Sequence, residues 1–419
     1  MNETIKQRID AVRRGEVPEG YKKKIPYIIP QDWQVKKLGS ITKRTSRPNK
    51  DGVDRPAYSI NNRKGFVPQS EQFEDGSYQY LDKTAYKIVR RGEFAYNPAR
   101  VNVGSIGRLR DEDEVIVSSL YVCVDVDDSV DGEYFDAWTK TCDFFEETVR
   151  NTEGSVREYL FYENFANMRM PIPPLVEQQK IAEILSTCDR VIELKQQLLD
   201  EKRKQKQWLM RCLLSKEHTI NGVKLSDLCT VICDGDWIES KDQSESGIRL
   251  IQTGNVGVGQ YLDKDGHARY ISEEAFDRLH CTEIYEGDVL ISRLPDPIGR
   301  ACMVPKLSTR AITAVDCSIL RFKDEQIAEF FLQYATSQDY FNKIAILAGG
   351  STRTRISRKE IEKLTVPVPA DKTSMATISG RLSLADRGIL LLEQELAAWQ
   401  QKKKALMQLL LTGLVRVNA

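Results

Sequence analysis

Hydrophobic positions along this chain follow two rhythms. Short β-branched runs, such as Glu114-Val115-Ile116-Val117-Ser118 and Asp288-Val289-Leu290-Ile291-Ser292, are punctuated by Gly, Pro and Asn turns and predict strands. Helical stretches such as Ile327 to Asn342 follow them. Elsewhere the spacing changes to alternating fours and threes. Ile181, Leu185, Cys188, Ile192, Leu199, Leu209 and Leu213 keep one such seam, with Lys195, Lys202 and Lys206 making its middle polar. Ile378, Leu382, Ala385, Ile389, Leu392, Leu396, Trp399, Lys403, Leu406 and Leu410 keep a second. Each run opens after a proline-rich turn and holds no further proline, so each predicts one unbroken helix. Asp371 is the candidate N-cap of the second and Gly413 its candidate C-cap. A helix of about 40 residues is roughly 60 Å long, and a lone rod cannot bury such a seam. The two helices are expected to pack on one another, antiparallel if the modules sit at opposite ends. The alternative is that each packs on its own module.

The chain also repeats itself. Gly154-Ser155-Val156-Arg157 recurs as Gly350-Ser351-Thr352-Arg353, and Pro171-Ile172-Pro173 as Pro367-Val368-Pro369, both displaced by 196 positions. Leu209-Met210 recurs as Leu406-Met407, displaced by 197. Further back the register drifts, with Gly92 answering Gly287 and Gly107-Arg108 answering Gly299-Arg300. A period this long means duplicated domains rather than a solenoid. The expected fold is mixed α/β, with two similar globular modules separated by two long antiparallel coiled-coil helices. The expected boundaries are an N-terminal helical arm at 1–28, a first module at 29–173, a first long helix at 174–215, a second module at 216–369 and a second long helix at 370–419. The arm carries a turn at Val17-Pro18-Glu19-Gly20 and has no counterpart before the second module.

Composition narrows the function. Lysine plus arginine equals aspartate plus glutamate, 61 each, so the chain lacks the global positive field of most autonomous nucleic-acid binders. Any DNA contact must be local or shared with partners. One local patch runs from Val35 to Lys50, where Lys36, Lys37, Lys43, Arg44, Arg47 and Lys50 occur without an acidic residue between them. Hydrophobic content of 41%, no long uncharged stretch and no secretory signal suggest a cytoplasmic protein without membrane contact. Nine scattered cysteines suit reduced thiols.

Catalytic signals are scarce. Asn97-Pro98-Ala99-Arg100 lacks the second proline and the aromatic of an amino-methyltransferase motif. Gly254-Asn255-Val256-Gly257-Val258-Gly259 has the wrong spacings for a nucleotide-cofactor fingerprint. Glu193-Leu194-Lys195 lies on a heptad rod, and Glu239-Ser240-Lys241 reads as a turn rather than a metal site. His218, His267 and His280 show no metal-ligand spacing, and no phosphate-binding glycine loop is present. No metal site and no cofactor are expected in this chain.

What remains is recognition. Arginine and the amides read guanine and adenine edges, and loops present them. Candidate DNA contacts are Lys43, Arg44, Arg47, Asn61, Asn62, Arg63, Lys64, Arg100, Asn102 and Arg108 in the first module. In the second they are Arg249, Gln252, Asn255, Arg293, Arg300, Arg353 and Arg355.

The residues resemble the specificity subunits of type I restriction-modification systems. The likeness rests on Trp33 to Ile41 (WQVKKLGSI), on Tyr58-Ser59-Ile60 leading to Gly65-Phe66-Val67-Pro68, on Ile251-Gln252-Thr253-Gly254-Asn255 and on the two Gly-Ser-x-Arg segments. It rests most on the run from Pro171 to Ala182 (PIPPLVEQQKIA) and on Lys402 to Gly413 (KKKALMQLLLTG). Asp371-Lys372-Thr373-Ser374 departs from the pattern, lacking the Glu-Gln-Gln that follows the first proline pair. The resemblance implies a non-catalytic subunit whose two target-recognition domains read the halves of a split site in double-stranded DNA. Two methyltransferase subunits would dock on the long helices, and restriction subunits would join for cleavage. S-adenosylmethionine, ATP and Mg would then belong to those partners. Two other readings compete: a coiled-coil scaffold whose modules bind protein, and a DNA-modifying enzyme acting alone.

Overall fold

The computed structural model describes residues 3–51, 53–72, 83–153, 159–214, 220–349 and 354–417. It falls into two compact units, residues 1–195 with 395–419 and residues 196–394. The fold is mixed α/β: each unit holds one sheet-rich module and a share of two long helices, Leu175–Leu213 and Lys372–Leu411. The second helix starts where Asp371 accepts a hydrogen bond from the Ser374 amide at 2.8 Å, which satisfies an otherwise orphaned donor. It stops before Gly413, whose φ of 71° lies in the left-handed region.

Within each unit the two helices run antiparallel. In the first, Ile181 and Leu185 share a core with Leu410 and Leu411, while Asp189 pairs with Lys403 and Lys195 with Glu395. In the second, Met210 shares a core with Met375, Ile378 and Leu382, while Lys206 pairs with Asp386 and Arg203 with Glu393 at 2.7 Å. The pairs Asp189–Lys403 and Lys206–Asp386 are copies of each other, displaced by 197 positions. All the seam positions named above except Lys202 are buried or half-buried, and Lys202 is exposed. Lys195, Lys206 and Lys403 explain how a seam can carry cations. Their stems lie along apolar surface, and each ammonium reaches a carboxylate of the other helix. Such half-exposed pairs add little stability but fix register.

The duplication is plain in the sheets. A four-stranded antiparallel sheet in the first unit has the order Ile106–Arg108, Phe94–Tyr96, Val122–Val126, Thr42–Thr45. Its copy runs Ala301–Met303, Val289–Ser292, Cys317–Phe322, Cys229–Asp234. A five-stranded sheet in each unit contains a parallel pair, Ala57–Asn61 with Glu114–Val117 and Ile248–Ile251 with Ala311–Thr313. Four strands of these sheets correspond. The fifth, Arg47–Pro48 in one copy and Gln243–Ser244 in the other, is added at opposite edges. A final two-stranded ribbon ties the beginning of each module to its end: Gln34–Lys37 with Arg169–Ile172, and Ile220–Lys224 with Thr365–Val368.

Helices Gly132–Trp138 and Cys142–Asn151 correspond to Glu325–Tyr334 and Gln338–Leu347. Trp138 stands edge-on to Phe144 with ring centroids 5.3 Å apart, and Tyr334 repeats this against Tyr340 at 5.7 Å. The single helical stretch expected from Ile327 to Asn342 is therefore two helices, because Ser337 accepts the Tyr340 amide and starts a new one. Antiparallel bridges, Glu153–Tyr159 and Gly349–Arg355, flank the Gly-Ser-x-Arg segments, of which 154–157 and 350–353 lie outside the described residues.

The N-terminal arm is a helix, Glu3–Arg13, followed by a hairpin of Tyr21–Lys24 and Tyr27–Pro30. It clasps the end of the second long helix. Arg8 donates to the Leu414 carbonyl at 2.7 Å, and the Tyr21 hydroxyl donates to that of Gly413. A Cβ on Gly413 would stand 2.7 Å from Pro30, so only glycine allows this approach. Under the hairpin, burial beside Glu146 and Glu147 pushes the Asp143 carboxyl up, partly offset by Arg150. The folded state thus holds this proton more tightly than the unfolded chain, and the group costs stability once pH exceeds the ordinary aspartate value of 3.8. The stability of Asp143→Asn relative to the parent should accordingly climb as pH rises through the carboxylate range, and a pH-independent difference in thermal melts would refute this.

Candidate nucleic-acid interface

The basic stretch of the first module does not lie on one element. Its cations are distributed over three sheets: Lys36 and Lys37 on the closing ribbon, Lys43 and Arg44 on the edge of the four-stranded sheet, and Arg47 on the five-stranded sheet. Lys43 and Arg44 are exposed, Arg44 lying 3.4 Å from Glu163. Arg47 grips the buried Glu93 through two nitrogens, at 2.6 and 2.9 Å. Arg108 is likewise engaged, by Glu133 at 2.6 Å and the Gly92 carbonyl at 3.1 Å.

Two loops of this module converge. The Asn61 side chain accepts the amides of Arg63 and Lys64 at 2.8 and 3.2 Å, which folds the tight turn between Ala57–Asn61 and Gly65–Pro68. Ser105 donates to the Ile60 carbonyl at 2.7 Å. Close approach follows: Cβ atoms on Gly104 and Gly107 would lie 3.1 Å from the Asn62 carbonyl oxygen and 3.0 Å from the Gly65 Cα. Asn62, Arg63 and Lys64 are thereby set beside the loop that carries Arg100 and Asn102, and all five are exposed. Among the described residues Arg63, Lys64 and Arg100 have no carboxylate partner. Asn97, the tempting start of a methyltransferase motif, accepts the Ala99 amide at 3.0 Å and shapes this same loop.

The second module places its candidates differently. Arg249 is buried, stacked 5.4 Å from the Tyr270 ring centroid and 3.6 Å from Asp263. Asn255 accepts the Gln252 amide at 3.0 Å and donates to the Leu262 carbonyl at 2.9 Å, closing a short turn. Arg293 pairs with Asp234 at 2.8 Å and donates to the Val315 carbonyl. Arg300 gathers the carbonyls of Val256 and Thr253 at 2.7 and 2.9 Å together with three more in the Leu294–Pro297 turn. Arg355 is exposed and bound to Asp316 at 2.7 Å, while Arg353 lies outside the described residues. These contacts hold loops together. Two exposed side chains of this unit carried no sequence signal: Trp237, 70% exposed beside Asp236, and Trp208, 66% exposed on the first long helix.

Little in the described residues suits covalent chemistry. No group of three or more His, Cys, Asp and Glu side chains comes together there, and Lys241 simply pairs with Glu239 at 2.8 Å. The nine cysteines are free thiols, and burial pushes Cys123 and Cys302 up to about 12, far from nucleophilic thiolates. No described helix is long and apolar enough to cross a membrane.

A family model described as the type I restriction modification DNA specificity domain matches residues 30–201 and, again, 218–398. The chain belongs to this family. This specificity subunit is 24% identical to the type I restriction enzyme MjaVIII specificity subunit of Methanocaldococcus jannaschii, over 96% of its own length and 97% of its relative's. It is 23% identical to a putative MjaX specificity subunit of the same organism over the same shares. Its fold is that of a chain solved in work on complex assembly and conformational transition of the type I R-M system, with a TM-score of 0.59 at 17% identity, covering 93% of this chain and all of the other. The S subunit from M. genitalium gives a TM-score of 0.55 at 12% identity, covering 95% and 99%. As a specificity subunit the chain is a DNA-recognition component and not an enzyme. The two matched segments coincide with the two sheet-rich modules and the helical stretches that follow them.

Proposed function

We propose that this specificity subunit reads a bipartite DNA target, one half-site per module, and docks two methyltransferase subunits and the restriction subunits through its long helices. The supporting observation is the internal copy: the same sheet order, the same edge-on aromatic pair and the same bridge flanking a Gly-Ser-x-Arg segment recur in both units. Two modules with separate cores and unlike loops suit two unlike half-sites, with the bases between them unread. In the first module the reading end is the convergence of Asn62, Arg63 and Lys64 with Arg100 and Asn102. In the second, Arg353 of the Gly-Ser-x-Arg segment is the candidate, taken from the sequence alone. S-adenosylmethionine, ATP and Mg serve the partner subunits in this reading. Balanced charge fits it too, since partners closing around the duplex supply most of the phosphate attraction.

The decisive experiment coexpresses the chain with its methyltransferase subunit and maps methylated adenines across a genome. The expected outcome is a two-part motif with a fixed gap. A continuous motif, or methylation by this chain without the methyltransferase, would refute the reading.

A further inference from the structure

The loop that carries Arg100 and Asn102 has a counterpart of equal length in the second module. Both loops leave and rejoin a pair of antiparallel strands, where Tyr96 faces Ile106 and Ile291 faces Ala301. The Asn97 amide donates to the Ser105 carbonyl at 3.0 Å, and the Ser292 amide donates to that of Arg300 at 2.9 Å. Before each return stands a glycine in the left-handed region, Gly104 with φ 92° and Gly299 with φ 80°. Each loop also receives the segment after its Gly-Ser-x-Arg run: Leu160 donates to the Pro98 carbonyl at 3.0 Å, and Ile356 to that of Arg293 at 3.3 Å. These positions are displaced by 195 or 196, so residues 97–105 and 292–300 hold the same place in their modules.

What the two loops present differs in sign. Arg100-Val101-Asn102 is answered by Pro295-Asp296-Pro297, all three of which are exposed. The second tip is also the more firmly held. Arg300 donates to the carbonyls of Leu294, Pro295 and Pro297 at 3.0, 2.9 and 3.1 Å, and it holds those of Val256 and Thr253 as well. One guanidinium thereby fixes the tip to the neighbouring turn, as Ser105 fixes its own loop to Ile60. A proline on either side of Asp296 removes further backbone freedom. Asp296 itself has a φ of 91°, where glycine is at ease and a residue with a side chain is strained. Among the described residues no donor is hydrogen-bonded or ion-paired to its carboxylate. An exposed carboxylate held rigidly, at a conformational cost and without an internal partner, is set to meet a group outside the molecule.

We propose that Asp296 is a base-reading residue of the second module, accepting a hydrogen bond from the exocyclic amino group of a cytosine in the major groove. The proposal rests on the reading that this module binds one half-site. Cytosine offers only a donor at that edge, whereas guanine and thymine offer oxygens that repel a carboxylate, and adenine sets an acceptor nitrogen beside its amino group. Phosphates repel the same charge. Asp296 therefore adds discrimination without adding affinity for unrelated sequences, unlike Arg63, Lys64 and Arg100, which attract phosphates whatever the sequence. A tip already fixed by Arg300 and two prolines loses little freedom when it binds.

The test uses the full chain assembled with its methyltransferase subunits, carrying Asp296→Ala or Asp296→Gly. The methylated motif is mapped, and duplexes differing at single base pairs compete for the complex. Both variants should lose a preference of about 10-fold or more for one C·G pair in one half-site. The other half-site and the gap should match the parent, and binding to unrelated DNA should not weaken. Because glycine relieves the backbone, Asp296→Gly should melt no earlier than the parent while still losing the base preference. A parent motif in two parts that neither variant alters would overturn the role of Asp296 and leave the two-half-site reading standing. Weaker assembly with an unchanged motif would also overturn it, by turning the carboxylate toward a protein partner. A continuous parent motif would overturn both.

Discussion

Trp33→Ala lowers the stability of the first unit by about 3–5 kcal/mol. The indole is fully buried in a core that also holds Leu38, Ile181, Leu410 and Leu411, so it joins the start of the module to both long helices. Truncation removes the ring's transfer energy and leaves a cavity between elements distant in sequence, which cannot collapse together easily. The polar consequence is as large. Trp33 donates its Nε1 proton to Glu177 at 2.9 Å, and Arg416 completes the set, holding Glu177 and Asp32 at 2.8 and 2.7 Å. Glu177 is buried, so losing the indole N–H costs it a donor in a place where water cannot substitute. Glu177→Ala should hurt comparably by stranding the Trp33 N–H and one face of Arg416. Since a domain is stable by only about 5–15 kcal/mol, either variant should show an early transition in urea. A loss below about 1 kcal/mol for Trp33→Ala would refute this account of the junction.

The proposed reading end makes the second large demand. With Arg63, Lys64 and Arg100 all changed to alanine, the assembled complex should bind specific and non-specific DNA more weakly by similar factors. The log–log salt dependence should flatten by about 0.9 for each phosphate that is no longer neutralised, roughly 2.7 in all. Asn62→Ala or Asn102→Ala should instead relax the preference for one base, by about 1–3 kcal/mol, in the half-site read by the first module. Titrations at several salt concentrations separate the two behaviours. An unchanged salt slope in the triple variant would mean that this end does not face the phosphates. Arg47→Ala is a useful contrast, because leaving the buried Glu93 unpaired should cost stability instead of salt dependence.

Periodicity made the long helices and the doubling legible, because heptads and proline-led starts are local signals that recur. Much of the rest is set by partners far along the chain. Arg47, Arg108 and Arg293 look in sequence like any glycine-flanked or loop arginine, yet each meets a carboxylate 46, 25 or 59 residues away. Nothing nearby distinguishes an arginine that fastens a loop from one that faces outward. Glycine is ambiguous in the same way: Gly65 and Gly107 serve a backbone-to-backbone approach within the module. The hairpin of the arm was hidden because Tyr21–Lys24 is mostly lysine and lacks strand-like alternation. The break between Tyr334 and Gln338 was hidden because Ser337 sits inside an otherwise continuous helical pattern and acts only as a cap.

The ribbons that tie Gln34–Lys37 to Arg169–Ile172, and Ile220–Lys224 to Thr365–Val368, have an evolutionary corollary. The polypeptide leaves each module beside the point where it came in, so a recombination event with its crossovers at one ribbon exchanges an entire reading head as a cassette. Only the module positions that pack on the helices, such as Gln333 against Ser383 and Asp386, would have to be retained. On the proposed bipartite reading, such a lineage would acquire a new half-site in one step while keeping its long helices.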